Sequence, residues 1–227
     1  MKTYSDQTID SKNPLVRFAH IKRTKNALNL FNKKSGSILD FGCAKGDFIK
    51  TLKLNNKEID AYGYEPNMNT SSSGIFNTWD DVIKHAETKN KFDAVSCFEV
   101  MEHFSEIIQL KYLRRIKEVL NDNGKIYISV PIEIGFPSLI KNFSRRIVHY
   151  KGNEKIYTIE NILNSYLCRS ENLKTLRTGD GYLPHMGFDF QDFEKVLKSV
   201  FQLEQSFFSP FPKLPYYLNS QIFFLLR

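Results

Sequence analysis

Cysteine is scarce in this chain. There are three, Cys43, Cys97 and Cys168, an odd number with no C-x-x-C pair. That argues against a disulfide framework or a cysteine-built zinc site and for a reducing cytosol. Long apolar runs are missing as well: nothing approaches the ~18 residues of a membrane-spanning helix, and MKTYSDQTIDSKNPLVRF has no apolar signal-peptide core. Repeats and low-complexity tracts are absent, and so is a G-x-G-x-x-G dinucleotide fingerprint. The expectation is a cytoplasmic chain of one domain, 1–227, long enough to bury a core without staples.

Phe and Tyr are plentiful, and 32 Lys and Arg against 25 Asp and Glu give a formal charge of +7. An excess of positive charge favours anionic partners: acidic or phosphorylated small molecules, nucleic acid, or an anionic membrane surface. The lysines are scattered, so an ordinary solvated surface competes with each of these.

Strand and helix patterns alternate through the first 131 residues. After an arm and helix over 1–34, apolar runs at Ile38–Phe41, Ile59–Glu65, Ile75–Thr78, Phe92–Phe98 and Lys125–Val130 read as strands. Helical patterns separate them at Asp47–Leu54, Asp80–Thr88 and Glu102–Leu120, the last closed by Asn121-Asp-Asn-Gly124. Such alternation predicts a Rossmann-like, doubly wound α/β sheet. Residues 136–182 break the rhythm and read as a helical insertion. A helix over Phe190–Val200 and strands over Phe201–Phe208 and Gln221–Leu226 follow.

The first strand runs into Gly42-Cys43-Ala44-Lys45-Gly46, with Asp40 just before the turn. Glycine loops usually cradle phosphate, which Asp40 would repel. A ligand carrying an ammonium group removes the conflict, and S-adenosylmethionine has one, with a sulfonium and no phosphate. Gly42 and Gly46 let the main chain approach it. Glu65, ending the second strand before Pro66, has the position of a ribose-binding acid.

Taken together, ILDFGCAKG, AYGYEP, FDAVSCFEVMEHF and GKIYISVP resemble class I S-adenosylmethionine-dependent methyltransferases, above all the subgroup with E-V-x-E-H after the fourth strand. The likeness is strong over 37–131 and covers the last strands in outline. It departs at Ala44, where the family has its middle glycine, and at Lys45. It implies a seven-stranded sheet with the last strand antiparallel and a cofactor site of Asp40, Gly42, Cys43, Ala44, Gly46, Glu65, Pro66, Phe98 and Glu99. By the same likeness Trp79 packs on adenine and Asp80 accepts from its amino group; Asp80 as a helix N-cap is the alternative.

Three readings of the E-V-M-E-H segment stay open. A helix starting near Glu99 would bring Glu99, Glu102 and His103 to one face. His103 is then a general base for a hydroxyl acceptor, with Glu102 orienting it. Alternatively Glu99, Glu102, His103 and His185 hold Mg²⁺ or Mn²⁺, as in the similar small-RNA 2′-O-methyltransferases. Otherwise Glu102 caps the helix and His103 packs. Arg17, His20, Arg145, Arg146 and His185 are candidate acceptor contacts, against solvated-face or packing roles for each. The preferred function is O-methylation of a small anionic acceptor, a sugar or sugar-nucleotide of surface polysaccharide synthesis. Its rivals are metal-assisted RNA ribose methylation and a non-catalytic cofactor-binding module.

Overall fold

The structure, a computed structural model, describes residues 14–32, 34–67, 74–148, 155–179 and 181–227. The expected arm over 1–12 lies outside the described residues, as does most of the polar turn over 67–74.

The predicted alternation builds α1 (Pro14–Asn29), β1 (Gly36–Phe41), α2 (Asp47–Asn55), β2 (Ile59–Tyr64), β3 (Ile75–Phe76), α3 (Trp79–Lys89), β4 (Phe92–Phe98), α4 (Glu106–Val119) and β5 (Leu120–Pro131). Then come α5 (Phe136–Val148), α6 (Ile159–Tyr166), a 3₁₀ stretch (Ser170–Arg177), α7 (Phe190–Val200), β6 (Leu203–Ser209) and β7 (Gln221–Leu226). The seven strands lie in the order β3-β2-β1-β4-β5-β7-β6. The strands β1 to β5 are parallel, and β7 is antiparallel to both its neighbours.

Strand alternation divides the core. Leu39, Phe41, Val95, Cys97, Ile126, Ile128 and Val130 point to one face and pack with Val82 of α3, Leu113 and Ile116 of α4, and Phe193 and Leu197 of α7. Ile38, Ala94 and Tyr127 point to the other and pack with Phe31 and with Ile49 and Leu52 of α2. Asp40 belongs to this second set, and the parallel register puts it opposite Ser96 of β4. An acid is thus carried to the carboxyl end of the sheet, where open α/β folds bind ligands.

Three expectations are corrected. The helix after β4 does not begin near Glu99: Glu99 has a left-handed φ of 59°, Met101–His103 form a single 3₁₀ turn, and α4 starts at Glu106. The Asn121–Gly124 stretch does not stop a helix but is part of β5, since Leu120 already pairs with Phe92. The third strand is only Ile75–Phe76, because Thr78 turns out to cap α3.

Gly63 of β2 lies beneath the loop after β1. A Cβ there would fall 2.4 Å from Cys43 Sγ and 2.6 Å from Ile49 Cδ1. Gly63→Ala is therefore expected to destabilise the fold by about 1–3 kcal/mol through overpacking, read as a lower urea midpoint with unchanged slope. An unchanged midpoint would show that loop and helix yield freely.

Candidate active site

The loop after β1 is shaped by backbone conformation. Gly42, Ala44 and Gly46 all have positive φ (78°, 48° and 74°), and the N–H groups of Gly42 and Cys43 donate to Tyr64 O at 2.8 and 3.2 Å. Glu65 braces the loop: Oε2 accepts from Ala44 N at 3.1 Å and Oε1 from Asn67 N at 3.0 Å. Behind it Asp40 is buried and accepts from Ser96 Oγ at 2.7 Å. Burial pushes the Asp40 carboxyl up to about 7, the Ser96 hydrogen bond opposes this, and the nearby Glu65 charge adds to it. Burial beside these acids also lifts the Cys43 thiol to about 12, so Cys43 is packing rather than a nucleophile.

Other residues assigned to the cofactor fare unequally. Pro66 is exposed beside Glu65, and Phe98 stands edge-on to Phe48, ring centres 5.3 Å apart. Trp79 is not a free adenine platform: it is buried among Phe41 and Tyr64, because the first turn of α3 points it into the core. Asp80 is exposed and does not cap α3; Thr78 does, its Oγ1 accepting from Asp81 N at 3.2 Å.

A second set of acids follows β4. The left-handed backbone at Glu99 turns its side chain toward α1 and β7, where it meets Arg23 Nη1 at 3.3 Å and accepts from Gln221 Nε2. Glu99 is thereby separated from Glu102, which is fully buried with neither carboxylate oxygen hydrogen-bonded. Burial holds the Glu102 carboxyl well above its ordinary range, and the charges of Glu99 and Glu133 push the same way.

His103 sits beside it, Nε2 3.7 Å from Glu102 Oε1. Its Nδ1 lies 3.2 Å from Leu183 O. A carbonyl only accepts, so Nδ1 carries the hydrogen and Nε2 is left as the acceptor, met by the Tyr182 hydroxyl at 2.6 Å. Burial lowers the His103 imidazole to about 4 against the opposing Leu183 bond, so it is neutral at physiological pH. The His185 ring stands 4.5 Å away, lowered to about 3 chiefly by burial, with its buried Nδ1 lacking a hydrogen bond. One ligand atom each from Glu102, His103 and His185 lies within 4.8 Å of the others.

Glu133, just beyond β5, anchors this corner. It accepts from Arg145 Nη1 at 2.6 Å and Nη2 at 3.0 Å, and from Lys141 Nζ at 3.3 Å. Burial opposes its ionisation, but the two cations overrule it and hold the carboxyl well below the usual range. Arg145 is consequently committed to Glu133, and Arg146 donates to Tyr157 O at 2.6 Å, which turns both away from the acceptor role. Arg17 is exposed on α1; the His20 side chain lies outside the described residues.

Sequence reasoning passed over Glu133, Tyr182, Ser96, Gln221 and Arg177, whose guanidinium donates to Glu102 O at 2.7 Å and Phe104 O at 3.1 Å. Ser96 lies within the fourth-strand segment but reads there as one more strand residue; the others lie outside the quoted motifs. Only the acid two residues past the fifth strand offered a signal, as a charge in an otherwise apolar run. Glu133→Ala leaves the half-buried Arg145 without its carboxylate and is expected to cost roughly 3–5 kcal/mol of stability, measured by urea unfolding; a loss under 1 kcal/mol would show the pair to be solvent-screened.

A family profile described as a methyltransferase domain matches residues 16–162. No curated protein matches the chain significantly. Among solved structures, the plantazolicin methyltransferase BpumL in complex with S-adenosylhomocysteine superposes with TM-score 0.56 at 15% identity, over 96% of this chain and 86% of that one. The N-methyltransferase NodS from Bradyrhizobium japonicum WM9 gives 0.51 at 13%, over 95% and 97%. The PH0226 protein from Pyrococcus horikoshii OT3 gives 0.52 at 13%, over 99% and 96%. Profile and sheet order agree: the chain belongs to the methyltransferase domain family and is a class I S-adenosylmethionine-dependent methyltransferase.

Proposed function

We propose that the chain methylates a hydroxyl of a small anionic acceptor, of which a sugar or sugar-nucleotide of surface polysaccharide synthesis is the preferred class. The observation that carries the hydroxyl is the contact between His103 Nε2 and the Tyr182 phenol. The imidazole is neutral, fixed in one tautomer by Leu183 O, and accepts from a hydroxyl at hydrogen-bonding distance. An amine or thiol acceptor would have little use for such a group. The excess of positive charge over the chain, with Arg17 exposed on α1, supports an acidic acceptor.

The first loop fits S-adenosylmethionine on chemical grounds. Asp40 is a buried acid held near neutrality for want of a cation, beside a second acid and glycine-permitted backbone. An ammonium there supplies the missing positive charge, and Glu65 has acceptor capacity left for sugar hydroxyls. When bound, this cofactor supplies a methyl group already activated on a sulfonium. The protein's share is to hold the acceptor in line and, once the acceptor hydroxyl takes the place of the Tyr182 phenol on His103 Nε2, to take its proton there, which forms an imidazolium.

A specific observation favours a second reading. The Glu102 oxygens and His185 Nδ1 are buried without hydrogen bonds, within reach of His103, as a divalent cation would have them. Glu99 is not among them.

Cofactor binding requires Asp40 ionised. Its carboxyl lies near 7 in the free protein, so affinity should be full above that value and fall by up to about tenfold per pH unit below it. Asp40→Asn should weaken binding by about 1–3 kcal/mol and flatten this profile. Calorimetry across pH 5.5–8.5 reads both; a pH-independent wild type would remove Asp40 from the site.

His103→Gln should abolish most turnover while leaving cofactor affinity unchanged. If turnover of the wild type also disappears with a chelator and returns with Mn²⁺, the cation reading replaces the general base. Normal turnover of the variant sinks both.

A further inference from the structure

Helix α5 is mounted with its polar side inward. Ser138 and Asn142 are buried: Ser138 Oγ donates to Gly135 O at 2.7 Å, and Asn142 Oδ1 accepts from Arg145 at 2.9 Å. Its outward positions are Phe136, Ile140, Phe143 and Ile147, all exposed. Their spacing of four, three and four residues makes one continuous stripe. Helix α6 packs against α5 and adds exposed Ile159 and Leu163. A surface helix ordinarily shows water its polar side, and an apolar patch spanning two helices marks an interaction site.

Charge selects the occupant. Lys155 and Arg169 flank α6 and are exposed, and Arg146 is charged although bonded to Tyr157 O. The sequence over 136–169 holds two acids, Glu154 and Glu160, against six Lys and Arg, and the chain as a whole carries +7. Two copies meeting symmetrically through this face would set these cations against themselves. An anionic lipid surface instead satisfies both features, taking the aromatic and branched side chains into the headgroup boundary and pairing the cations with lipid charge. We propose that the exposed face of α5 and α6 docks the protein on an anionic bilayer.

Flotation of the full-length protein with vesicles tests this. Vesicles of phosphatidylcholine with phosphatidylglycerol should carry several-fold more protein than phosphatidylcholine alone, and added salt should reduce the difference. Ile140→Ser/Phe143→Ser should lose the binding with circular dichroism and Tm unchanged. Lys155→Glu/Arg169→Glu should weaken it without touching the apolar stripe. The proposal is overturned if the mixed vesicles carry no protein or if both variants bind as the wild type does. It is equally overturned if sedimentation shows a dimer that Ile140→Ser/Phe143→Ser dissolves, since a second copy would then cover the face. None of these outcomes bears on methyl transfer.

Discussion

The pairing of buried Glu133 with half-buried Arg145 is the constraint on which the rest of the site depends. It ties α5 to the end of β5 and so fixes the whole helical insertion against the sheet. An ion pair so placed contributes little net stability, because desolvating both charges offsets most of their attraction. Its value is positional. Lys141 pairs with the same carboxylate and His185 Nδ1 lies 4.0 Å from it, and its negative charge adds to the burial that holds the Glu102 carboxyl above its ordinary range.

Five carboxylates gather at this end of the sheet, and each solves the cost of burial differently. Asp40 takes a hydroxyl and titrates near neutrality. Glu65 stays half-exposed and braces backbone N–H groups. Glu99 pairs with Arg23, Glu133 with Arg145, and Glu102 has no hydrogen bond to either oxygen, so burial holds its carboxyl well above the ordinary range. Such divergence among neighbouring acids is how one fold separates the binding of a cation from the handling of a proton. At the glycine loop Asp40 and Glu65 accept from a hydroxyl and from backbone N–H groups rather than from cations, which suits a sulfonium and ammonium ligand better than a phosphate.

Much of the fold was legible in the sequence. Buried parallel strands announce themselves as short apolar runs, and Gly42 and Gly46 mark the turn after β1 that takes positive φ. Failures came where tertiary context overrode local pattern. Helix periodicity placed Glu99, Glu102 and His103 on one face, but a left-handed turn at Glu99 separates them. Trp79 reads as a ligand platform beside a strand end, yet core packing claims it. Arg145 and Arg146 look like a basic patch because their partners, Glu133 and Tyr157 O, are distant in sequence. Tyr182 was invisible for the same reason: it meets His103 across 79 positions.

The placement of β7 carries a consequence for biosynthesis. The last strand to be made is not the last in the sheet; it slots between β5 and β6. Until it emerges from the ribosome, β5 shows an open, apolar edge of the kind that seeds aggregation. The same strand delivers Gln221 to Glu99, so that contact waits for the seventh strand, whereas the glycine loop takes its braces from Tyr64 and Glu65, at the end of β2.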